Sequence, residues 1–302
     1  MNYLKEFDHK MLTEKLNLLT NRNVNLNIGC LGTSILGKDI PVITLGDDSA
    51  KKSVLYVSTH HATENITTSI LISFIEEYLS AYENISQICG INIRYLFKMR
   101  KIYIVPMLNP DGVEYRLNGI SEDNPIKDRI IAYNGNEDFS KWNANARGVD
   151  LNHNYNASFE EYKIYERANG ISPGKTKYSG EYPESEPETS ALCNLIRIIG
   201  SELKGIITLH TQGEEIYYKS NGKTVPNTDI ISRHVSRLTG YPLCETEGSA
   251  CYGGLTDYAI NDLNIPSYTL ECGKGENPLD IKQGKLIYSR LRELLFTFPI
   301  LF

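Results

Sequence analysis

Four short apolar runs separated by helical patterns constrain the fold of this 302-residue chain more than any other feature. The runs are Ser53 to Thr59, Lys101 to Met107, Gly205 to Leu209 and Ser267 to Leu270. Apolar and β-branched runs of this kind are typical of strands buried on both faces, which need helices on both sides of the sheet. The sequence therefore predicts an α/β domain whose functional site lies at the carboxyl ends of the strands.

The patterns between these runs predict helices. Ile66 to Leu79 keep a helical spacing of apolar residues. In Ser185-Glu-Pro-Glu188, serine is the expected cap of a helix and proline its first turn. A C-terminal helix is expected from about Asp280 to Leu295, and an amphipathic helix at about 9–19. Because the chain has no repeats or linkers, we expect one domain over 1–302, with an N-terminal helical segment (1–30) packed on it.

The bulk composition excludes several classes of partner. The formal net charge is −6 and no basic stripe occurs, so a nucleic-acid partner is not expected. No stretch approaches the roughly 18 uninterrupted apolar residues that a membrane span needs. The N-terminus also lacks the apolar core of a signal peptide. We therefore expect no membrane insertion and a cytoplasmic location; oligomeric state is left open.

Six cysteines in a chain of this length, without CxxC spacing, indicate reduced and mostly buried thiols rather than disulfides or a cysteine metal site. They are Cys30, Cys89, Cys193, Cys244, Cys251 and Cys272.

The segment from Gly32 to Lys38 matches the first seven positions of a phosphate-binding loop. The next residue is Asp39, where a hydroxyl should reach magnesium and where a carboxylate repels phosphate. The flanking segments resemble a hairpin rather than a strand that feeds a helix. We interpret this stretch as a turn.

A stronger candidate for chemistry is His61-Ala-Thr-Glu64, which follows the first strand. Residues three apart at the start of a helix share one face, so the imidazole and the carboxylate can reach the same ion. Taken alone, the spacing fits a capping turn equally well. His60 has no carboxylate at the matching offset and is interpreted as a neighbour.

Two further polar residues end predicted strands. A lone histidine such as His210 is more often structural than a ligand, but a third metal ligand must come from another strand end. Glu271 follows apolar residues, where a carboxylate is costly unless it has a partner or a task, such as that of a general base beside a metal-bound water. The alternative for Glu271 is a solvated strand end. Together with Asn109-Pro-Asp-Gly112, these groups are expected to converge on one edge of the sheet.

The ordered set of motifs resembles the zinc carboxypeptidase family from about Leu31 to the C-terminus. The set comprises HATE, NPDG, GVDLN, SEPE, a strand-terminal Leu-His and a strand-terminal glutamate. The stretches 142–152, 209–217 and 273–279 are similar to those of the bacterial γ-D-glutamyl-L-diamino acid endopeptidases. This resemblance implies a mixed, mostly parallel eight-stranded sheet flanked by helices. It also implies one Zn²⁺ held by His61, Glu64 and His210, with Glu271 as the base. Some extracellular relatives carry N-terminal peptidoglycan-binding repeats, and we expect none here.

The chain departs from the family at three positions. An asparagine–arginine pair grips the substrate carboxylate in ordinary carboxypeptidases, and here the pair is Asn152-His153. The oxyanion-stabilising arginine aligns with Asn143, so Arg147 either takes over that catalytic role or binds a substrate carboxylate. The family's mobile tyrosine aligns with Ser249, and Tyr252 is offset from that position.

The resemblance thus predicts a zinc metallopeptidase that cuts the γ-D-glutamyl–diaminopimelate bond of peptidoglycan stem peptides through a zinc-promoted water. Asn143, Asn152, His153 and Thr256 are the expected substrate contacts. The alternatives are a metallocarboxypeptidase that releases C-terminal amino acids and a non-catalytic protein that binds muropeptides.

Overall fold

The computed structural model describes residues 5–21 and 26–302, and its centre is an eight-stranded sheet. The strands of this sheet are β1 (Leu26–Thr33), β2 (Asp39–Leu45), β3 (Ser53–Ser58), β6 (Lys101–Val105), β7 (Leu203–His210), β8 (Glu215–Tyr217), β9 (Leu243–Cys244) and β10 (Ser267–Glu271). Two further strands, β4 (Gln87–Ile88) and β5 (Ile91–Asn92), form a separate hairpin. The order across the sheet is β1-β2-β6-β3-β7-β10-β8-β9.

The four central strands, β6, β3, β7 and β10, run parallel to one another. The antiparallel pairings lie towards the edges, between β1 and β2, β2 and β6, and β10 and β8. These four central strands are the four runs that the sequence singles out. The predicted mixed, mostly parallel eight-stranded sheet is therefore confirmed.

Ten helices flank the sheet in the described part of the chain. They are α1 (His9–Thr20), α2 (Ile66–Glu83), α3 (Ile93–Met99), α4 (Pro110–Asn118), α5 (Lys127–Asn134), α6 (Phe159–Ala168), α7 (Pro187–Ile199), α8 (Asp229–Thr239), α9 (Leu255–Asn261) and α10 (Gly284–Thr297).

Strand β3 shows why helices are needed on both faces of the sheet. All six of its residues are buried. Val54 and Tyr56 point into the core under α2 and α10, whereas Leu55 and Val57 point into the core under α7 and α9. Because successive side chains of a strand point to opposite faces, an uninterrupted apolar run is stable only between two helical layers.

The N-terminal segment differs from its prediction in extent. Helix α1 packs on the domain through Leu12, Leu16 and Leu19, which are buried in the same core as α2 and α10. The helical part ends at Thr20, and the chain from Leu26 is an edge strand of the sheet. Residues 26–30, which the prediction includes in the helical segment, thus pair with β2 as part of the sheet.

The start of α7 also differs from its prediction. The cap residue is Glu186, not Ser185, and its side chain makes no capping bond. The Ser185 hydroxyl instead bonds to Asn154 and Glu186. Proline stands in the first turn, as predicted.

The phosphate-loop match is a hairpin turn, as interpreted from the sequence. Strands β1 and β2 pair antiparallel around it, and the Ser34 carbonyl accepts the Gly37 amide. The Lys38 ammonium lies 2.9 Å from the carboxylate of Asp111, which is fully buried. That lysine therefore anchors the turn to α4.

All six cysteines are free thiols, as predicted, but only Cys193 and Cys272 are buried. Cys30 and Cys89 are exposed, so the expectation that most thiols are buried is wrong. Among the described helices, none combines the length and apolar character needed to cross a membrane.

Candidate active site

Two neighbouring strands deliver the three predicted metal ligands to one point at the edge of the sheet. His61 follows β3 and caps the short helical turn Ala62–Glu64, which places Glu64 beside it. His210 is the last residue of β7, the strand next to β3. The carboxyl ends of these parallel strands therefore bring together residues about 150 positions apart in the sequence.

The Glu64 carboxylate lies between the two imidazole rings. His61 Nδ1 is 2.9 Å from Glu64 Oε1, and His210 Nδ1 is 2.9 Å from Glu64 Oε2. One ligand atom from each residue lies within 4.8 Å of the other two. Glu64 and His210 are 4% and 1% exposed, so little solvent separates these atoms.

This donor set fits zinc. Two neutral imidazole nitrogens and one carboxylate oxygen are the three protein ligands of many catalytic zinc sites, which keep a further position open. A carboxylate buried this deeply is costly unless it is paired or holds a metal. Hence His61, Glu64 and His210 can hold one zinc ion.

Asp150 supports this site from behind His61. Its Oδ1 lies 3.0 Å from His61 Nε2, and its Oδ2 accepts the Lys177 amide at 2.9 Å and the Thr176 hydroxyl at 3.1 Å. A carboxylate on the outer nitrogen of a ligating histidine fixes the tautomer and the orientation of the ring. Asp150 therefore orients His61 and also holds the neighbouring wall of the cleft.

The charges of the site are strongly coupled. Burial lowers the pKa of His61, but Glu64 and Asp150 outweigh this effect and raise the pKa well above its usual value. Burial raises the pKa of Glu64, yet His61 and His210 bring it down to about 2. Despite burial, His61 also depresses the pKa of Asp150 below its usual range. Glu64 and Asp150 are thus ionised at neutral pH, and a bound metal would displace the proton that these carboxylates favour on His61.

Glu271 ends β10, directly beside His210 in the parallel register of β10 and β7. Burial raises the pKa of Glu271 well above its usual value, and the carboxylates of Glu64 and Glu215 raise it further. Glu215 lies opposite Glu271 on β8 and accepts the Tyr217 hydroxyl at 2.7 Å. A carboxyl group with a raised pKa beside a metal site is suited to accept and release a proton.

A cleft of about 760 Å³ opens over this site. Its lining includes His61, His210, Glu271, Asn152, His153, Thr256, Thr269, Tyr217, Lys177, Lys219, Glu245 and Asn277. The structure therefore brings together seven of the nine residues predicted for the site, counting Glu64, which lies beneath the two histidines.

The three predicted substrate contacts in this lining are held in place by neighbours. Asn152 Oδ1 accepts the Leu255 amide, and His153 Nδ1 lies 2.8 Å from the Tyr252 carbonyl. The His153 ring stacks on Tyr162 with the centroids 4.1 Å apart. Burial lowers the pKa of His153, so this ring is neutral at pH 7. The Asn-His pair consequently offers hydrogen bonds but no permanent positive charge.

Asn143 and Arg147 are not among the residues that line the cleft. The Asn143 side-chain oxygen instead accepts the Thr63 hydroxyl. The Arg147 guanidinium lies 3.0 Å from Glu186, at a separate surface cavity of about 330 Å³. The ion pair with Glu186 thus places Arg147 outside the cleft, and its expected role, to stabilise the oxyanion or to bind a substrate carboxylate, stays a prediction.

The NPDG motif reaches the same edge of the sheet but acts as scaffold. Asn109 caps α4, and its amide donates to the carbonyls of His60, Asn143 and Ala144. A Cβ at Gly112 would lie 2.3 Å from the Ala144 carbonyl, so only glycine fits there.

Sequence reasoning missed the roles of two residues inside motifs that it quoted. Asp150 belongs to GVDLN, and Asn277 belongs to the 273–279 stretch. Asn277 accepts the Thr211 hydroxyl at 2.7 Å and donates to the Thr211 carbonyl at 2.7 Å and to Glu64 at 3.4 Å. Asn277 therefore clamps the segment after His210. Nothing local in the sequence signals these distant partners.

Lys177 is the third residue that the sequence reasoning missed. It is exposed at the cleft and makes no ion pair with any residue that the structure describes. Its backbone has a φ of +71°, which is costly for a residue with a side chain, and the Asp150 carboxylate and the Tyr162 hydroxyl hold it there. The fold thus presents a cation at the wall that carries His153.

Comparison with known proteins gives a family match over most of the chain. The model of the Peptidase_M14 family, described as zinc carboxypeptidase, matches residues 13–288. Gamma-D-glutamyl-L-diamino acid endopeptidase 1 of Lysinibacillus sphaericus is 34% identical over 289 residues, which are 95% of this chain and 71% of that protein.

Solved structures share the fold at lower sequence identity. Bovine thrombin-activatable fibrinolysis inhibitor superposes with a TM-score of 0.72 at 17% identity, over 98% of this chain and 96% of that one. Murein-tripeptide amidase MpaA of Escherichia coli O157 superposes with a TM-score of 0.55 at 20% identity, over 89% and 91%.

Proposed function

Because the chain belongs to the zinc carboxypeptidase family, we propose that this zinc metallopeptidase hydrolyses the γ-D-glutamyl–diaminopimelate bond of peptidoglycan stem peptides. The similarity to an endopeptidase that acts on γ-D-glutamyl-L-diamino acid bonds supports the substrate class. The observation that carries the proposal is the cleft itself. It has a complete metal-binding triad, yet no arginine lines it among the described residues.

The absence of arginine in the lining argues against simple trimming of C-terminal residues. A guanidinium grips a terminal carboxylate with two parallel hydrogen bonds and a permanent charge, and neither Asn152 nor His153 can replace it. The cleft instead offers hydrogen bonds from Asn152 and His153 and a separate cation on Lys177. This set suits a substrate with several carboxylates spaced along a branched peptide.

His61, Glu64 and His210 would hold the zinc. When bound, zinc acidifies a water molecule and polarises the scissile carbonyl. Asp150 keeps His61 in the tautomer that leaves Nδ1 free for the metal, because it accepts the proton on Nε2.

Glu271 is the proposed general base. It accepts a proton from the attacking water and passes it to the leaving amine of the diamino acid, so one carboxyl group serves both transfers. Tyr252 does not line the cleft, and the Tyr217 hydroxyl is committed to Glu215. Glu271 is therefore the group best placed for both steps.

Asn152, His153 and Thr256 would contact the substrate on the leaving-group side, and Lys177 would attract one of its carboxylates. Thr256 is held by hydroxyl contacts of 2.9 Å to Ser267 and Thr269. Asn143 has a supporting role in this proposal, because its side chain positions Thr63 next to Glu64.

A soluble peptide from peptidoglycan is the proposed partner, and the cytoplasm the proposed location. Six free thiols suit a reducing compartment. Cell fractionation with an antibody to the protein tests the location, and recovery in an extracellular or wall fraction would overturn it.

The experiment that tests the activity is incubation of the zinc-loaded protein with L-Ala-γ-D-Glu-meso-diaminopimelate, with products identified by mass spectrometry. We expect free diaminopimelate and L-Ala-D-Glu. A panel of ordinary α-linked peptides is the control. Release of C-terminal residues from that panel, with the γ-linked tripeptide left intact, would identify a metallocarboxypeptidase instead. No turnover of either class by zinc-loaded protein would favour a binding protein.

A further inference from the structure

The cleft contains an ion pair that the proposed chemistry does not use. The Lys219 ammonium pairs with the Glu245 carboxylate, and both residues line the same cleft as His61 and Glu271. The Lys219 side chain is 23% exposed, and its ammonium lies 5.5 Å from the centre of the Tyr218 ring. The lysine is thus partly enclosed, whereas Glu245, at 61% exposure, faces the open cleft.

The strand register shows where this pair lies relative to the reacting groups. Strand β8 runs antiparallel to β10, with Glu215 opposite Glu271 and Tyr217 opposite Thr269. Alternate residues of a strand share a face, so Glu215 and Tyr217 form a row that leads away from Glu271 along the sheet, and Lys219 follows two residues after the strand ends. Strand β9 pairs with β8 in parallel and ends at Cys244, so Glu245 follows at the same end.

The walls between the two ends of this row are polar. Thr269 and Thr256 line the cleft and bond to each other through their hydroxyls at 2.9 Å. Tyr217 lines it from β8. A substrate side chain that extends from the reacting centre along this row therefore passes these hydroxyl groups first. It then reaches the opposite charges of Lys219 and Glu245.

The spacing suits a diamino acid. Extended backbone rises about 3.4 Å per residue, so Tyr217, the last residue of β8, lies roughly 7 Å beyond Glu215. The second charged centre of diaminopimelate lies four carbon–carbon bonds from its α-carbon, about 5 Å when extended. A side chain of this length carries its charges past Tyr217 towards Lys219 and Glu245, which line the same cleft. Short side chains such as that of alanine do not reach the pair.

This inference rests on the proposed function. We propose that Lys219 and Glu245 recognise the zwitterionic end of the diamino acid, so that the enzyme prefers diaminopimelate to lysine. The carboxylate of that end pairs with Lys219 and its ammonium pairs with Glu245, which replaces one ion pair by two. A lysine substrate supplies only the ammonium, competes with Lys219 for Glu245 and leaves Lys219 without a new partner.

The test compares three tripeptides, L-Ala-γ-D-Glu-X, with X as meso-diaminopimelate, its distal carboxamide or L-lysine. The wild-type enzyme is expected to cleave the diaminopimelate peptide with a kcat/KM about tenfold or more above that of the other two, because each lacks a charge-assisted contact. Lys219→Met is expected to remove most of this preference. Glu245→Gln is expected to lower kcat/KM for the diaminopimelate and lysine peptides alike.

Lys285→Met is the matched control, since Lys285 is exposed on α10 and does not line the cleft. Binding of the uncleaved tripeptides to the Glu271→Gln variant, measured by calorimetry, gives a readout that is independent of turnover. Equal cleavage of all three peptides by the wild type, or a preference that Lys219→Met leaves intact, would overturn this inference alone. Failure to cleave any γ-linked tripeptide would overturn the proposed function instead.

Discussion

Charge at single residues governs the chemistry of this site. Glu64 is ionised because two imidazoles face it, whereas burial raises the pKa of Glu271 and the carboxylates of Glu64 and Glu215 raise it further. Two carboxylates of one site thus differ in protonation because their neighbours differ. In the proposed mechanism, Glu64 holds the metal and Glu271 exchanges a proton.

Glu271→Gln is expected to retain zinc and lose turnover. Glutamine keeps the shape of the side chain but cannot accept the proton of the attacking water, and general-base catalysis typically contributes 10²–10⁴-fold to the rate. Metal content by atomic absorption and hydrolysis of the γ-linked tripeptide would be measured together. Near wild-type turnover would remove Glu271 from the role of base.

Lys177→Met is expected to raise KM for the γ-linked tripeptide about three- to tenfold and to change kcat little, since an exposed charge contact contributes about 1 kcal/mol. Lys175→Met is the matched control, because Lys175 is exposed two residues away and does not line the cleft. Michaelis constants of both variants at low and moderate salt check this prediction. Equal effects of the two substitutions would contradict it.

At the scale of residues, contacts within a motif can be predicted from the sequence, whereas contacts with residues distant in the sequence cannot. His61 and Glu64 share one turn, so their contact follows from spacing. The positions of Arg147 and Asp150 depend on Glu186 and on the 176–177 segment, which only the folded chain brings near. A long-range partner of this kind has no local signal.

At the scale of elements, the first turn of α7 meets α4 and the β1–β2 turn at a buried cluster of carboxylates. Glu188 is fully buried beside Glu186 and Asp111. Burial raises its pKa to about 8, and these two carboxylates add to the shift. The Ile35 amide and the Asn145 side chain, both 3.4 Å away, are its hydrogen-bond donors.

This junction is expected to make the free energy of unfolding fall as pH rises. Glu188 holds its proton in the folded protein up to about pH 8, whereas an unfolded chain releases it near its usual value of 4.5. The folded state therefore binds more protons between these values, and the free energy of unfolding decreases by up to about 1.4 kcal/mol per pH unit in that window. Glu188→Gln is expected to flatten this dependence and to be more stable than wild type at pH 8.

Urea denaturation at several pH values between 6 and 8 measures the effect. Glu161→Gln, on the exposed face of α6, is the control and should keep the wild-type slope. A slope that Glu188→Gln leaves unchanged would show that the carboxyl is already ionised in the folded state.

Long elements with their own pattern could be predicted, and short ones could not. The apolar runs that become β3, β6, β7 and β10 carry enough β-branched residues to be recognised alone. Strands β8 and β9 have three and two residues, and they exist because β10 offers a free edge to β8 and β8 in turn offers one to β9. The side of the cleft that lies along β8 and β9 could therefore not be predicted from the sequence.

At the scale of the whole molecule, the metal site lies at the edge of a sheet whose core is complete without it. The two apolar cores on either face of the sheet do not include the ligands. Removal of zinc by a chelator is consequently expected to abolish hydrolysis while the far-ultraviolet circular dichroism spectrum stays unchanged.

The melting temperature should nevertheless drop by several degrees on chelation. A ligand at about a thousand times its dissociation constant stabilises the folded state by about 4 kcal/mol, and chelation removes that contribution. Re-addition of zinc should restore both melting temperature and activity. Global unfolding on chelation would contradict the separation of core and site.

The two carboxylate oxygens of Asp150 bond to different parts of the site, and this affects how fast the enzyme loses its metal. One oxygen steadies a zinc ligand and the other steadies the wall at Thr176 and Lys177. Substrate binding that orders Thr176 and Lys177 should therefore also hold His61 in place. Because this coupling is reciprocal, zinc binding should order the same wall to an equal extent. A tripeptide occupying the cleft should therefore slow the escape of zinc to a competing chelator, so that the working enzyme is protected against scarcity of its own cofactor.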